Sequence, residues 1–204
     1  MRQGSADTTL HDLRIDAVLH CLQASGAASV LDLGCGRGAL LKRLLPVAQF
    51  TRLVGIDIDM QALEQARQVL GLDLLRPHPR MSVSYGSFEE VNRELSGFDA
   101  AVLLETIEHI DAGRLPRMER AVFVGMHPRL ILVTTPNRDY NPVHGLARGE
   151  RRHPGHRFEW TRAQFRQWAG GVAQRNGYSV AFDDLGWPQP GIGGSSQMAS
   201  FVAQ

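Results

Sequence analysis

Leu31-Asp-Leu-Gly34-Cys-Gly36-Arg-Gly38 is the stretch that decides the fold of this chain. A short apolar run, Ser29 to Leu33, breaks directly into alternating glycines. The apolar, helical segment Ala39 to Leu45 follows and is stopped by Pro46. Strand, glycine turn and helix in that order open a nucleotide-binding unit, because glycine permits a tight turn and lets backbone approach a ligand closely. The second strand, Leu53 to Ile58, carries Asp57 near its end. About twenty residues past the glycines, an acid there can accept both hydroxyls of a ribose. The competing reading of Asp57 is a turn-forming acid beyond a strand, and the glycine run alone would also suit a dinucleotide.

Outward from this unit, strand-like and helix-like segments alternate, as in an α/β sheet with helical crossovers. Leu10, Leu13, Ala17, Leu19 and Leu22 recur at roughly helical spacing up to Gly26, and Met60 to Leu70 reads as a helix with Asp59 as its N-cap. Met81 to Tyr85 alternates like a half-buried strand, and Phe98 to Leu104 is apolar enough for a central parallel one. Leu130 to Thr134 reads as a strand ending at the turn signal Thr135-Pro136-Asn137. Thr161 caps a helix to about Ala173, and strands are expected near Tyr178 to Phe182 and Met198 to Ala203. Between Asn137 and Trp160 no period is sustained. A segment this long inside a compact domain reads as a lid or substrate-binding loop.

Composition sets the outer limits. The 204 residues, 43% of them hydrophobic, suit one domain with a sizeable core. Net charge is +1, so no global field points to nucleic acid and any such surface must be local. One candidate lies between His144 and Arg166, where six arginines (148, 151, 152, 157, 162 and 166) face two acids, Glu150 and Glu159. That excess can hold phosphates; the bland alternative is a solvated loop. Cys21 and Cys35 read as free thiols, and neither a secretory signal nor a membrane-length run is seen. The expectation is a cytoplasmic protein without a membrane partner.

Glu105-Thr-Ile-Glu108-His109 gathers two carboxylates and an imidazole within five residues, and His156-Arg-Phe-Glu-Trp-Thr161 adds a second imidazole. Glu105 closes an apolar strand, the end at which open α/β sheets bind ligands. If a helical turn begins there, Glu108 and His109 share its face with Glu105. Oxygen and nitrogen donors without a thiolate suit Mg²⁺ or Mn²⁺ better than structural zinc. Read blandly, Glu108 and His109 start a helix whose dipole favours acids, and His156 is a surface residue.

The leading acid of Asp32-Leu-Gly-Cys-Gly-Arg-Gly resembles the first motif of class I S-adenosylmethionine-dependent methyltransferases rather than a dinucleotide fingerprint. That resemblance implies a Rossmann-like fold with a mostly parallel seven-stranded sheet and helices on both faces. It implies cofactor contacts from Asp32, Gly34, Gly36 and Asp57, with Ser87 and Phe88 flanking the adenine. Glu105 to His109, Val133-Thr-Thr-Pro-Asn-Arg-Asp-Tyr-Asn141 and His156 to Phe165, taken together, resemble the catalytic domain of the HUA-enhancer family, the small-RNA 3′-terminal ribose 2′-O-methyltransferases. The likeness runs from about Leu10 to the end of the chain and includes Gln197-Met-Ala before the last strand.

By position, that likeness places the metal ligands on Glu105, Glu108, His109 and His156. It implies S-adenosylmethionine and Mg²⁺ or Mn²⁺ as cofactors, and as substrate an RNA 3′ end with free 2′,3′-hydroxyls. RNA-end-processing or silencing proteins are the implied partners. The domain is expected over residues 10–204 after a flexible N-terminus, 1–9, as a stand-alone form or an excised domain. Bacterial relatives often carry an Asp before the second metal histidine. Here Gly155 stands there, with His153 left as a supporting donor or RNA contact. Two other functions fit some of the residues: an O-methyltransferase for a small-molecule diol, and a non-catalytic binding module.

Overall fold

The computed structural model describes residues 9–204, so the N-terminal expectation falls outside the described residues except at Thr9. Thr9 belongs to the domain. Its side chain accepts from the Asp12 amide and Asp12 reaches back to the Thr9 amide, a reciprocal cap on α1 (Leu10–Ala24). β1 (Ser29–Leu33), α2 (Ala39–Leu44), β2 (Arg52–Asp57), α3 (Met60–Leu70), β3 (Met81–Tyr85) and β4 (Ala100–Leu104) follow. Asp59 caps α3 as expected, accepting from the amides of Gln61 and Ala62. The sequence reading had no element between β4 and β5 (Leu130–Pro136). The chain fills that crossover with α4 (Leu115–Glu119), which continues as a π-helical stretch, Arg120–Met126.

Seven strands form one sheet in the order β3-β2-β1-β4-β5-β7-β6, with α5 (Arg162–Asn176) preceding β6 (Tyr178–Leu185) and β7 (Ser196–Ala203). β1 to β5 pair in parallel, while β7 inserts antiparallel between β5 and β6. This pairing explains why β5 outruns its expected end. Thr135 and Pro136 pair with Gln197 and Ser196 of β7, and the chain turns only at Asn137. The C-terminal helix and β6 are likewise longer than their sequence signals, because pairing and packing carry them past the point where apolar periodicity fades.

Strand alternation divides the core in two. Val30, Ala100, Val102, Leu130 and Leu132 face α1, α2 and α3. Leu31, Leu33, Ala101, Leu103, Ile131 and Val133 face the α4 segment and α5. Helices therefore cover both faces, and functional groups are left to the strand ends. No helix among the described residues is long and apolar enough to cross a membrane.

The strand order reverses between β1 and β4, which places their carboxyl ends at a switch-point crevice. Two loops meet there. Gly34 has φ +83°, and a Cβ built on it would stand 2.5 Å from Thr106 Cγ2. Only a glycine lets the β1 loop lie against the β4 turn. Gly34→Ala is expected to lower unfolding free energy by about 2–4 kcal/mol, from overpacking plus a left-handed backbone. Urea denaturation checks this, read as a lower midpoint at unchanged slope.

Candidate functional site

A 380 Å³ cavity opens at the switch point, lined by Gly34, Gly36, Asp57, Ser87, Phe88, Glu105, Thr106 and His109 among others. The nucleoside-pocket residues and the start of the metal motif thus face one space. Asp57 accepts from the Gly36 amide at 2.8 Å and the Asp59 amide at 2.9 Å, which ties the glycine loop to the second strand. Its carboxylate stays at the cavity wall. Phe88 serves both of its readings, lining the cavity and packing on the core. Asp32 is placed differently: it lies buried and away from the cavity wall, with Oδ2 lacking a hydrogen-bond partner. Burial, then the nearby Asp57 charge, pushes its pKa up to about 7.

Beyond β4 the backbone kinks. Glu105 adopts φ +50°, rare for a residue with a side chain, and its amide donates to Thr134 Oγ1 at 2.9 Å. A single 3₁₀ turn, Ile107–His109, follows instead of an α-helical one. The shared helical face expected for Glu105, Glu108 and His109 is therefore absent. Glu108 points inward and is fully buried, whereas His109 is exposed.

Each carboxylate is held by one oxygen. Arg14 of α1 pairs with Glu105 Oε2 at 2.8 Å and also donates to Ser196 Oγ at 2.8 Å. Thr135 Oγ1 donates to Glu108 Oε2 at 3.0 Å. The remaining oxygens, Glu105 Oε1 and Glu108 Oε1, are buried without partners. Burial, then the Glu105 charge, holds the Glu108 pKa well above the carboxylate range; the Thr135 hydrogen bond and Arg14 oppose this only in part.

The loop carrying His156 docks directly on this turn, its Arg157 amide donating to the Glu108 carbonyl at 2.7 Å. His109, His153 and His156 bring ring nitrogens within 4.8 Å of one another. Neither Glu105 nor Glu108 belongs to that cluster. Donors around one small cation stand at most about 4.2 Å apart, so closing all four expected ligands on one ion requires the carboxylates to turn toward the imidazoles. The donor set itself would suit a hard cation: two buried oxygens lack partners on the turn that the histidine loop docks against.

His156 Nδ1 lies 2.6 Å from Glu159 Oε1. The carboxylate also accepts from Asn141 Nδ2 at 2.6 Å and from the Arg152 amide at 2.7 Å. These bonds outweigh burial and hold the Glu159 pKa down at about 2. Glu159 thus fixes the His156 ring with Nε2 bare, the orienting task an acid at position 155 would otherwise perform. The pKa of His109 is lowered by burial first and then by the neighbouring histidines, with a Gly155 backbone hydrogen bond opposing.

Asn137 to Trp160 is packed as one wall of the site. It contains a 3₁₀ stretch, Arg138–His144, and is knitted together by buried polar groups. Arg152 donates to Asn141 Oδ1 and to the Ser195 carbonyl, each at 2.7 Å, and to the Asn137 carbonyl. Arg162 pairs with Asp184, and Arg166 lies over Phe182. The expected patch of six arginines therefore narrows to Arg148, to Arg151, which also donates to the His156 carbonyl at 2.9 Å, and to Arg157, which lies 3.8 Å from Asp111. With Arg138 they line a 990 Å³ groove that also exposes parts of Phe158 and Trp160. The sequence reading missed Arg14, Thr135, Asn141 and Glu159. Arg14 and Thr135 are ordinary polar residues whose partners lie far along the chain, whereas Asn141 and Glu159 act inside the network of the histidine loop itself.

A parallel sheet closed by an antiparallel seventh strand, with a glycine loop and a second-strand acid at its switch point, is the class I methyltransferase fold. The family profile described as "Methyltransferase domain" matches residues 31–128. The crystal structure of the methyltransferase domain of bacterial CtHen1 superposes with a TM-score of 0.86 at 37% identity, covering 95% of this chain and 100% of that one. The small RNA 2′-O-methyltransferases of Arabidopsis thaliana and Gallus gallus are 31% and 32% identical over 92% and 95% of this chain. The chain spans 22% and 54% of those relatives. It belongs to the Hen1, or HUA-enhancer, family of small-RNA 2′-O-methyltransferases and corresponds to their methyltransferase domain.

Glu159→Ala is expected to weaken divalent-metal binding by roughly 10- to 100-fold, the usual effect of losing a group that orients a ligand. Calorimetric titration with Mn²⁺ checks this. Affinity for the nucleoside cofactor should not change, because Glu159 does not line that cavity.

Proposed function

We propose that this domain transfers the methyl group of S-adenosylmethionine to the 2′ oxygen of the 3′-terminal ribose of RNA, with a divalent cation held by Glu105, Glu108, His109 and His156. The observation that carries this reading is the pair of buried, partnerless oxygens, Glu105 Oε1 and Glu108 Oε1, on a turn whose Glu105 and His109 line the nucleoside cavity and on which the histidine loop docks through Arg157. Kinship with small-RNA 2′-O-methyltransferases supports the substrate class.

Each part of the chain has a task in this scheme. Asp57 accepts the ribose hydroxyls of the cofactor. Gly34 and Gly36 let the backbone pass its methionine end, and Ser87 and Phe88 border its base. The sulfonium supplies an already activated methyl group, so the protein contributes alignment and a better nucleophile. A divalent cation, when bound, lowers the pKa of a ribose hydroxyl and fixes its direction. Arg14 and Thr135 each grip one oxygen of their glutamate and leave the other for the cation. Glu159 holds His156 in the tautomer that presents Nε2. Arg138, Arg148, Arg151 and Arg157 line the approach and hold upstream phosphates, which position the strand without reading its sequence.

Asp57→Ala should weaken S-adenosylmethionine binding by about 1.5–3 kcal/mol, the cost of a charge-assisted hydrogen bond, with the Gly36 loop loosened as well. Calorimetry on the folded variant measures it, and unchanged affinity would reduce Asp57 to a turn residue.

The substrate reading is tested by label transfer to matched oligonucleotides. An RNA ending in 2′,3′-hydroxyls should be methylated on its terminal ribose. The 3′-deoxy strand, which keeps the 2′-OH but lacks the neighbouring oxygen, should be a poor acceptor, and changing the terminal base should matter far less. Equal rates on both ends, or label on internal riboses, would defeat recognition of the terminal diol. Catechol, as a competing small diol, should accept no label.

A further inference from the structure

The three clustered imidazoles are not equivalent, and their hydrogen bonds sort them. His156 Nδ1 faces the Glu159 carboxylate at 2.6 Å. A carboxylate only accepts, so this nitrogen carries the proton and Nε2 is a bare lone pair. His153 is set the opposite way. Its Nδ1 accepts the Gly155 amide at 3.0 Å, so the neutral ring must carry its proton on Nε2. A ring in this state has no free lone pair for a cation; it has an N–H to donate. His153 is exposed, with its ring centroid 5.6 Å from that of His109 and 5.4 Å from that of His156. No protein acceptor for its Nε2–H is found among the described residues.

We infer that His153 is a substrate-binding residue, its Nε2–H donating a hydrogen bond to an acceptor oxygen of the terminal nucleotide beside the metal ligands. The inference rests on the RNA-end reading above. The acceptor is either the 3′ oxygen of the ribose or a non-bridging oxygen of the phosphodiester that enters it. Both are oxygen acceptors within the same nucleotide. His153 would then add to the site a donor that His156, whose Nδ1–H is taken by Glu159, does not provide.

The test is RNA affinity measured by fluorescence anisotropy with Mn²⁺ and S-adenosylhomocysteine present, alongside calorimetric Mn²⁺ affinity. His153→Leu should weaken binding of a short diol-ended RNA roughly 3- to 10-fold, the loss expected for one hydrogen bond. Mn²⁺ affinity should stay within about twofold, and His153→Asn, which keeps a donor, should recover much of the RNA affinity. The penalty of His153→Leu should vanish on either the 3′-deoxy strand or one with a methylphosphonate at the last linkage, and that strand identifies the acceptor. A tenfold fall in Mn²⁺ affinity would make His153 a ligand and overturn the inference. So would RNA affinity that does not move, or a penalty that persists on both altered strands. Wild-type protein that binds no RNA would instead sink the substrate reading and take this inference with it.

Discussion

Two neighbouring glutamates, Glu105 half-buried and Glu108 fully buried, set the terms for everything around them. Ionised together in a dry site they repel, and burial alone disfavours the charge of either. The fold answers with one cation, Arg14, and one hydroxyl, Thr135, each satisfying a single oxygen. Burial and the neighbouring Glu105 charge raise the Glu108 pKa well above the ordinary carboxylate range, so the pair carries its full negative charge at a cost. A divalent ion is the simplest species that meets both free oxygens at once.

The surrounding architecture serves that pair. β5 supplies Thr134 to the Glu105 amide and Thr135 to the Glu108 side chain, so consecutive residues of one strand fix both glutamates. The positive φ of Glu105 re-aims the chain as it leaves β4, and Gly34 lets the cofactor loop lie against the same turn. Arg157 then pins the histidine loop to the Glu108 carbonyl. The methyl-donor cavity and the proposed cation site are thereby held against a common turn. A transfer between two positioned groups requires that proximity.

The sheet was legible in the sequence because its strands are apolar runs ending at glycines, prolines or acids. Ser29 to Leu33 and Met60 to Leu70 coincide with the observed elements. The crossover at Leu115–Met126 was not legible, since its π-helical stretch breaks a helical period. In the site, Asp57, Glu105, Glu108, His109 and His156 were legible as chemistry, and all of them border one crevice or the loop docked on it. Their local geometry was not. Helical spacing suggested a shared face, but a 3₁₀ turn entered through a left-handed residue turns Glu108 inward and His109 outward. The residues that hold the site taut were the least readable. Arg14 and Glu105 are 91 positions apart in number, and nothing local in α1 marks an arginine that must reach across the sheet end.

The central claim is that the buried carboxylate pair is a cation site, and thermal unfolding of chelator-treated protein tests it most directly. Adding Mn²⁺ should raise the melting temperature of the wild type in a concentration-dependent way, as binding to the folded state alone requires. Glu108→Gln removes the second charge without removing volume. It should melt no lower than the chelator-treated wild type and gain nothing from Mn²⁺. A wild-type melting temperature indifferent to Mn²⁺, or an equal rise in both proteins, would contradict the account.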